Sequence, residues 1–324
     1  GMANPIQNDV EKESGDSRSD GISARRYFLL SITVSFFLLL AVCTLGVWGI
    51  FCDRSFGFQI LYHHQLDKIA AGTGIETVFV GDSSLGNALD AGQFSKLTGT
   101  RTVNLALTGL YAYAGAYNMV KKLEDQPVRN VVVVSTISTM TRDVSYGGYV
   151  LTLTRPADAL ELSSADQSAL LDAFYNLVFS PGNLRSSLKS ILGLQRRKHV
   201  IEADYIQQGP AQKVRHYEGI DTARLIPQKT LFLARLVEYC RARNINIIHA
   251  HGPVIRGWGE ASMDFVGEVN RRLSRTGVLN ITNLTLIAPE HLGDSEDHVA
   301  PGFKSEYTRR YAELIGPLLS VSSK

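Results

Sequence analysis

An uninterrupted apolar run near the N-terminus is the strongest pattern in the chain. Residues 27–51, YFLLSITVSFFLLLAVCTLGVWGIF, form a stretch of 25 residues without a charge. At ~1.5 Å per helical residue, this stretch is long enough to cross a hydrocarbon layer of ~30 Å with some tilt. The alternative is a buried core helix, but core helices rarely lack a polar face over so many turns. We therefore predict one transmembrane helix over residues 27–51.

The sequence before this run is polar. Residues 3–26 hold almost no large apolar side chains and many Asp, Glu, Ser and Asn residues. Such a segment buries too little apolar surface to offset the entropy that is lost on ordering. We expect residues 1–26 to be a disordered tail.

Charges at the two ends of the run predict its orientation. Arg25 and Arg26 abut it on the N-terminal side, whereas Asp53 and Arg54 cancel each other on the other side. The positive-inside rule then places the tail in the cytoplasm. Residues 52–324 are expected to form an extracytoplasmic domain.

Three other kinds of N-terminal segment share features with this anchor. A cleavable signal peptide usually has an apolar region of about 7 to 15 residues and an A-x-A-like site, and neither is present. The sequence around Arg25 and Arg26 resembles a twin-arginine export signal. A lipoprotein cleavage box would end at Cys43, but the bulky Val42 stands where such a box needs a small residue. The uncleaved anchor is favoured.

Beyond the anchor, short apolar runs alternate with longer segments of helical period. This alternation is typical of a parallel sheet covered by helices. The predicted strands are residues 77–80, 102–105, 131–135, 245–249 and 284–287. The predicted helices are residues 113–123, 165–179, 228–243, 262–275 and 304–319. We expect an α/β fold, a three-layer domain with a parallel sheet of about five strands, and an insertion at about 145–225 that lies over one end of the sheet.

Composition narrows the classes of function. Lys and Arg number 33 and Asp and Glu 31, and a net charge of +2 over 324 residues is too small to indicate a nucleic-acid partner. Cys43, Cys52 and Cys240 are too few and too scattered for a disulfide framework or a zinc site. We predict no cofactor and no metal.

The first predicted strand runs directly into Gly81, Asp82, Ser83 and Ser84. Ligands of open parallel sheets bind at the carboxyl ends of the strands, so Ser83 is a candidate nucleophile. A glycine allows a tight turn, and a following helix N-terminus offers N–H groups to an oxyanion. The alternative is that Ser83 or Ser84 is an ordinary N-cap or turn residue.

Three short blocks resemble the SGNH, or GDSL, hydrolases. They are VFVGDSS at 78–84, NLALTG at 104–109, and DSEDHV at 294–299 followed by Gly302. The blocks occur in the order of the family over residues 75–320. The resemblance implies a flavodoxin-like SGNH domain after the anchor.

The resemblance also implies roles for individual residues. Ser83 would be the nucleophile and His298 the general base, with the backbone N–H groups of Ser83 and Gly109 in the oxyanion hole. The family places its acid three residues before the histidine, where this chain has Ser295. We choose Asp294 as the acid that orients His298, and Asp297 is the alternative.

The third block of the family departs from the pattern. It supplies an Asn to the oxyanion hole from beyond the third strand, whereas residues 135–143 here read STISTMTRD. A hydroxyl from Thr136 or Ser138 is a candidate replacement. Otherwise the oxyanion hole has two donors.

Further residues are candidates for lining the substrate. His249 and His251 end the fourth predicted strand on one face, as two metal ligands would, but no third ligand is identifiable from spacing. We therefore predict a substrate-lining or structural role and choose His251. Arg256 and Trp258 follow in the same loop and are candidates for contacting an anionic group and a sugar ring. Asp82, next to the nucleophile, completes this set.

The anchor and the three blocks together suggest a function. Membrane-anchored SGNH proteins of bacteria are often O-acyltransferases or esterases of cell-envelope or secreted polysaccharides, and some work with a multi-spanning acyltransferase. We expect such an enzyme in the bacterial inner membrane, with a periplasmic domain and a polysaccharide or acylated glycan as substrate. The alternative is a catalytically inactive SGNH-like binding or assembly subunit of an envelope polysaccharide machine, which the missing Asn and the irregular acid spacing favour.

Overall fold

A long N-terminal helix carries the apolar run. The computed structural model describes residues 17–53, 59–194 and 209–320. Helix α1 spans Ser17–Phe51, and its part Ser23–Phe51 is long and apolar enough to cross a membrane. The helix thus includes residues 17–26, which corrects the prediction that they belong to a disordered tail. Adding a residue to an existing helix costs far less free energy than nucleating a new helix. The helix of the apolar run can therefore extend toward the N-terminus into the polar residues. Residues 1–16 lie outside the described part.

Seven strands follow in the described residues, and five of them form one parallel sheet. The strands are β1 Thr77–Gly81, β2 Thr102–Asn104, β3 Asn130–Ser135, β4 Asn246–His251, β5 Val254–Ile255, β6 Leu279–Asn280 and β7 Leu286–Ile287. The order in the sheet is β2-β1-β3-β4-β6, and every pair is parallel. The predicted α/β class with a parallel sheet of five strands is confirmed.

The predicted fifth strand is wrong. Residues 284–287 were expected in the main sheet, but Leu286–Ile287 instead pairs with β5 in a separate two-stranded sheet. The edge position is held by β6, in which Asn280 pairs with His249. A two-residue edge strand with one polar member lacks the apolar run by which buried parallel strands are found in a sequence.

Eleven helices follow α1 in the described residues. They are α2 Gln59–Ala71, α3 Ser83–Ala88, α4 Ala91–Thr98, α5 Ala112–Lys121, α6 Tyr146–Thr152, α7 Ser164–Val178, α8 Pro181–Ile191, α9 Leu231–Ala242, α10 Arg256–Ala261, α11 Met263–Ser274 and α12 Lys304–Ile315.

Helices cover both faces of the sheet. In β1, Val78, Phe79 and Val80 are all fully buried, although successive side chains of a strand point to opposite faces. The Phe79 ring contacts the ring of Phe94 in α4, with centroids 4.8 Å apart. The neighbouring residues point to the opposite face, and α5 contacts β1. The domain therefore has three layers.

The segment 145–225 contains no strand in its described residues. Helix α6 packs on α5 and α7 packs on α6, while both α7 and α8 contact α1. These helices therefore extend from α5 to α1, and Ser145, just before α6, donates from Oγ to Leu110 O in the loop after β2. The placement of the insertion over one end of the sheet stays a prediction. The returning chain does reach a loop near the carboxyl ends of the strands, where Gln212 N donates to Gly293 O at 2.6 Å. Residues 195–208 lie outside the described part.

Candidate active site

Ser83 is the first residue of α3, and one residue separates it from the end of β1. The N-cap of this helix is Asp82, whose side chain accepts from Ser84 N, so neither serine is the N-cap. Gly81 lies against β3, and a Cβ at position 81 would stand 1.7 Å from Val134 O. Glycine is needed here because the two backbones approach closely, and this approach fixes the position from which Ser83 projects.

A chain of hydrogen bonds joins Ser83 to the C-terminal loop. Ser83 Oγ lies 2.9 Å from His298 Nε2, and His298 Nδ1 lies 2.7 Å from Asp294 Oδ1. The His298 side chain is 13 % exposed. The structure thus brings together the three residues that the sequence selected as nucleophile, base and acid. A hydroxyl, an imidazole and a carboxylate in this order are the arrangement that activates serine for attack on an ester.

The local fold of the loop explains the unusual spacing of the acid. Leu292 and Val299 form an antiparallel bridge that closes the loop. Within it, Gly293 N donates to His298 O at 2.7 Å, and His298 N donates to Ser295 O at 3.1 Å. This turn brings the residue four positions before the histidine, Asp294, to its Nδ1.

Asp297 takes a different position from Asp294. Its Oδ1 lies 3.7 Å from His298 Nε2, on the nitrogen that faces Ser83. The same oxygen accepts a hydrogen bond from Ser295 Oγ at 2.6 Å. Of the two carboxylates, Asp294 is therefore the one that orients the imidazole.

Carboxylates determine the protonation of His298. Burial alone would lower the pKa of His298. The hydrogen bond to Asp294 and the negative charges of Asp297, Asp294 and Asp82 outweigh burial and raise the pKa above its ordinary value of 6.5. An imidazole in this setting is a stronger base than a free histidine, as proton abstraction from a serine requires.

The predicted oxyanion donors flank Ser83. At the first position of α3, the Ser83 N–H has no carbonyl of its own helix to donate to. The loop after β2 is held beside β1 because Leu107 N donates to Gly81 O at 2.9 Å, and Gly109 follows in this loop. The oxyanion roles of Ser83 and Gly109 stay predictions.

Neither hydroxyl that was considered as a replacement for the missing Asn is shown to point at the oxyanion position. Thr136 is buried, and its Oγ1 has no hydrogen-bond partner among the described residues. Ser138 Oγ accepts from Arg142 Nη2 at 3.3 Å. The guanidinium of Arg142 also lies against Gly109, where a Cβ would be 1.9 Å from Nη1. Sequence reasoning missed Arg142, although it is the only cationic residue within the stretch 135–143.

Asp82 is a buried residue whose hydrogen bonds join α3 to the loop after β3, and it does not line the substrate site. It is 3 % exposed, and its Oδ1 accepts from Ser84 N and Oγ. Its Oδ2 accepts from Thr136 N at 2.8 Å and from Thr139 Oγ1 at 3.2 Å. Burial, followed by the charge of Asp297, raises the pKa of Asp82. This corrects the prediction that Asp82 lines the substrate.

The Asp82→Asn variant is expected to lose about 1 to 3 kcal/mol of the free energy of unfolding. An amide nitrogen would replace one accepting oxygen and leave two buried donors without an acceptor. Urea denaturation measures the loss. The matched control is Asp90→Asn, since one Asp90 oxygen caps α4 by accepting from Gln93 N and Asn caps helices about as well. Equal stability of the two variants would contradict the role of Asp82.

His251 is also internal. It is 2 % exposed, and its Nε2 lies 2.8 Å from Asn270 Oδ1. His249 is fully buried and bonded to Ser135 and Asn280. Burial, and for His249 also the charge of His251, lowers the pKa of both imidazoles. The role is structural, which corrects the choice of His251 as a substrate-lining residue.

The remaining two candidates lie at the surface in α10. Arg256 is exposed and Trp258 is half-buried. The residue before this helix, Ile255, donates its N–H to Glu296 O at 2.7 Å, so α10 begins beside the loop that carries Asp294 and His298. Contact of Arg256 and Trp258 with substrate stays a prediction.

In the part of the chain that the structure describes, no group of three or more His, Cys, Asp or Glu residues could hold a metal ion. No family model, curated protein or solved structure matches the chain.

Proposed function

We propose that this protein is a membrane-anchored, serine-dependent O-acyltransferase or esterase that acts on a cell-envelope or secreted polysaccharide through an acyl-enzyme. The observation that carries the proposal is the continuous chain from Ser83 Oγ through His298 to Asp294, with distances of 2.9 and 2.7 Å. These three hydrogen-bonded residues lie at the carboxyl end of β1, where ligands of parallel sheets bind.

In the first step, Ser83 Oγ attacks the carbonyl carbon of an ester. Its proton passes to His298 Nε2, and the electron pair of the carbonyl moves onto oxygen. Donors placed around that oxygen are worth about 2.7 to 4 kcal/mol each in transition-state stabilisation. As the intermediate collapses, the leaving alcohol takes the proton from His298, and the acyl group stays on Ser83. Asp294 holds the imidazole in the correct tautomer and stabilises its positive charge.

In the second step, an acceptor hydroxyl takes the acyl group. His298 removes the proton from water or from a sugar hydroxyl, and the resulting oxygen attacks the acyl-enzyme. Ser83 leaves and regains its proton from His298. Water gives a carboxylic acid, which is esterase activity, whereas a sugar hydroxyl gives a new ester, which is acyl transfer. The same residues serve both reactions.

The topology supports the SGNH assignment that the three sequence blocks imply. Counted within the sheet, the strand order is 2-1-3-4-5, which is the order of flavodoxin-like doubly wound sheets. In that order, Ser83 follows β1, which lies beside the central strand β3, at the point where the order reverses. The anchor supports placement in a bacterial inner membrane with the N-terminus cytoplasmic and the domain periplasmic.

The alternative is an inactive SGNH-like binding or assembly subunit. Reactivity toward serine-directed reagents and esters distinguishes it from the proposed enzyme. We expect the full-length protein in detergent to react covalently with a fluorophosphonate and to hydrolyse p-nitrophenyl acetate. Intact mass should show one adduct, and peptide mapping should place it on Ser83. A folded protein that shows neither labelling nor turnover with these reagents or with acetylated glycans contradicts the enzyme proposal and favours the binding role.

The pH dependence of activity should follow His298. Only the neutral imidazole accepts the serine proton, and its pKa lies above 6.5. We therefore expect kcat/KM for an ester to rise with pH through a midpoint above 6.5 and then to level off. Removal of the Asp297 charge by Asp297→Asn should move the midpoint to lower pH. A midpoint well below 6.5 in the unmodified protein would contradict His298 as the base.

A further inference from the structure

A cavity of about 390 Å³ lies beside Gly109, on the side of the loop that follows β3. Gly109, Arg142, Asp143, Ser145 and Lys229 are among its lining residues. Its volume is at the small end of ligand pockets, which suits a single sugar residue or a short acyl chain rather than a long lipid chain. The cavity adjoins Gly109, a predicted oxyanion donor, so a substrate whose ester lies at Ser83 can extend into it.

Two cations from different parts of the chain meet in this cavity. Arg142 comes from the loop after β3 and rests its guanidinium against Gly109. Lys229 precedes α9, is 3 % exposed, and donates from Nζ to Asp143 O at 2.6 Å. Asp143 supplies the only carboxylate among the lining residues, so the lining carries one net positive charge.

The environment of Lys229 favours an anionic occupant. Burial and then the charge of Arg142 lower the pKa of Lys229 to about 8, and Asp143 offsets these effects only in part. The buried Lys229 ammonium carries a cost of desolvation and of repulsion by Arg142, and a bound anion offsets both. Arg and Lys are also the side chains that bind carboxylate and phosphate groups.

We propose that Arg142 and Lys229 form a subsite that binds an anionic group, a carboxylate or a phosphate, on the acylated glycan. The inference rests on the proposed function, and it restricts the substrate to acidic sugars. It also assigns Arg142 a position at the cavity side of Gly109, where the guanidinium holds the anion close to the reacting ester.

Binding measured without turnover tests this subsite separately from the acyl chemistry. Calorimetry with the full-length Ser83→Ala protein in detergent would compare three probes, which are glucuronate, glucose 6-phosphate and glucose. We expect at least one anionic sugar to bind ten-fold or more tightly than glucose, and the tighter of the two identifies the group. Anionic sugars that bind no more tightly than glucose overturn the subsite, whatever the protein does with fluorophosphonate.

Variants assign the binding to the two cations. Arg142→Gln and Lys229→Met should each reduce the preference for the anionic sugar by ten-fold or more. Arg309→Gln removes the same charge from an exposed position on α12 and should keep the preference. Arg142 is exposed, so its replacement tests the proposal even where loss of the buried Lys229 unfolds the protein. A preference that survives Arg142→Gln overturns the assignment.

A second inference comes from the contact between α1 and the helices α7 and α8. Gly46 lies against Val178, and Asn183 Nδ2 donates to Gly46 O at 2.9 Å. One turn further along α1, Gly49 lies against Ser187 and Asn183. The last turns of α1 are thus fixed to the domain.

Exposed apolar side chains continue from this contact. On α7, Leu171 and Tyr175 are 68 % and 63 % exposed and precede Val178 at the spacing of one helical face. On α8, Ile191 is 58 % exposed and follows Ser187 by four residues. We define the apolar face of α7 and α8 as these three residues together with Leu188 of α8 and with Leu192 and Leu194, which follow the end of α8; the three leucines are also more than half exposed.

The depth of this face follows from the length of α1. A hydrocarbon layer takes up about 20 helical residues, which, counted from Tyr27, end near Gly46. Gly46 is the residue that contacts Val178 of α7. The helices α7 and α8 therefore meet α1 at the level where it leaves the hydrocarbon layer.

We infer that the apolar face of α7 and α8 inserts into the outer boundary of the bilayer that α1 crosses. Each exposed apolar side chain that leaves water for lipid adds a favourable transfer free energy, so the face holds the domain against the membrane. The orientation of the domain is then fixed by two contacts, the anchor and this face.

Quenching by labelled lipids tests the inference. In full-length protein with Cys43, Cys52 and Cys240 changed to alanine, the variants Leu171→Cys and Ile191→Cys would carry an environment-sensitive fluorophore. In vesicles, lipids with a spin label high in the acyl chain should quench both labels by half or more. The control Arg309→Cys, on α12, should be quenched by aqueous iodide instead. Labels at 171 and 191 that respond like the control overturn the inference.

Discussion

Replacement of Ser83 by alanine is expected to lower kcat for ester turnover by about 10⁴- to 10⁶-fold. In the proposed mechanism the Ser83 hydroxyl carries the acyl group, and the neighbouring hydroxyl of Ser84 does not replace it at His298 Nε2, since Ser84 is buried and bonded to Asp82. The measurement is steady-state hydrolysis of p-nitrophenyl acetate, with labelling by fluorophosphonate as the second readout. Both signals should disappear together.

The control for this variant is Ser305→Ala. Ser305 is exposed on α12, so the same chemical change there should leave turnover within two-fold. Thermal unfolding of all three proteins should agree closely, because Ser83 Oγ bonds outward to His298 rather than into the core. Turnover that persists in a folded Ser83→Ala protein would remove Ser83 as the nucleophile.

Replacement of Asp294 by asparagine is expected to lower kcat by roughly 10⁴-fold. Asn keeps the shape of the side chain but presents an amide to His298 Nδ1, which favours the wrong tautomer and leaves the imidazolium without its counter-charge. The two aspartates of the loop form a matched pair for this test. Asp297→Asn should cost about ten-fold or less, because Asp297 acts on the histidine only through its charge and lies 3.7 Å from Nε2.

The comparison between the two variants decides which acid belongs to the site. The measurement is kcat across a pH series, so that a shifted pKa is not mistaken for a loss of rate. A larger loss of kcat in Asp297→Asn than in Asp294→Asn would reverse the assignment. Asp297 would then be the acid that orients His298.

The sequence predicted the centre of the fold well, for a clear physical reason. The strands β1 and β3 are buried on both faces, so each contains a continuous apolar run, and β4 is marked by Ile247 and Ile248 before its histidines. The edge strand β6 and the small sheet of β5 and β7 are two residues long and have no such pattern. The start of α1 at Ser17 was missed because helix propagation depends on the neighbouring run and not on local composition.

The candidate site was predicted through its short motifs and missed where it depends on long-range contacts. Ser83, Asp294 and His298 belong to blocks that can be found locally. The approach of Arg142 to Lys229 across 87 positions leaves no local signal. The burial of Asp82 depends on Thr136 and Thr139, which approach it only once β1 and β3 are paired. Its position next to the nucleophile therefore suggested exposure, whereas the fold encloses it.

The close approach of Gly81 to β3 has a consequence for how this site tolerates variation. A side chain at position 81 would collide with Val134 O. Val134 belongs to the central strand β3, whose backbone is held in place by pairing with β1 and β4. The loop 293–298, by contrast, is held by hydrogen bonds of its backbone and already differs in acid spacing from the pattern it resembles. A mutational library should therefore yield functional sequences at the loop positions other than 294 and 298 and almost none at 81, so that new specificities would arise from the histidine side of the site.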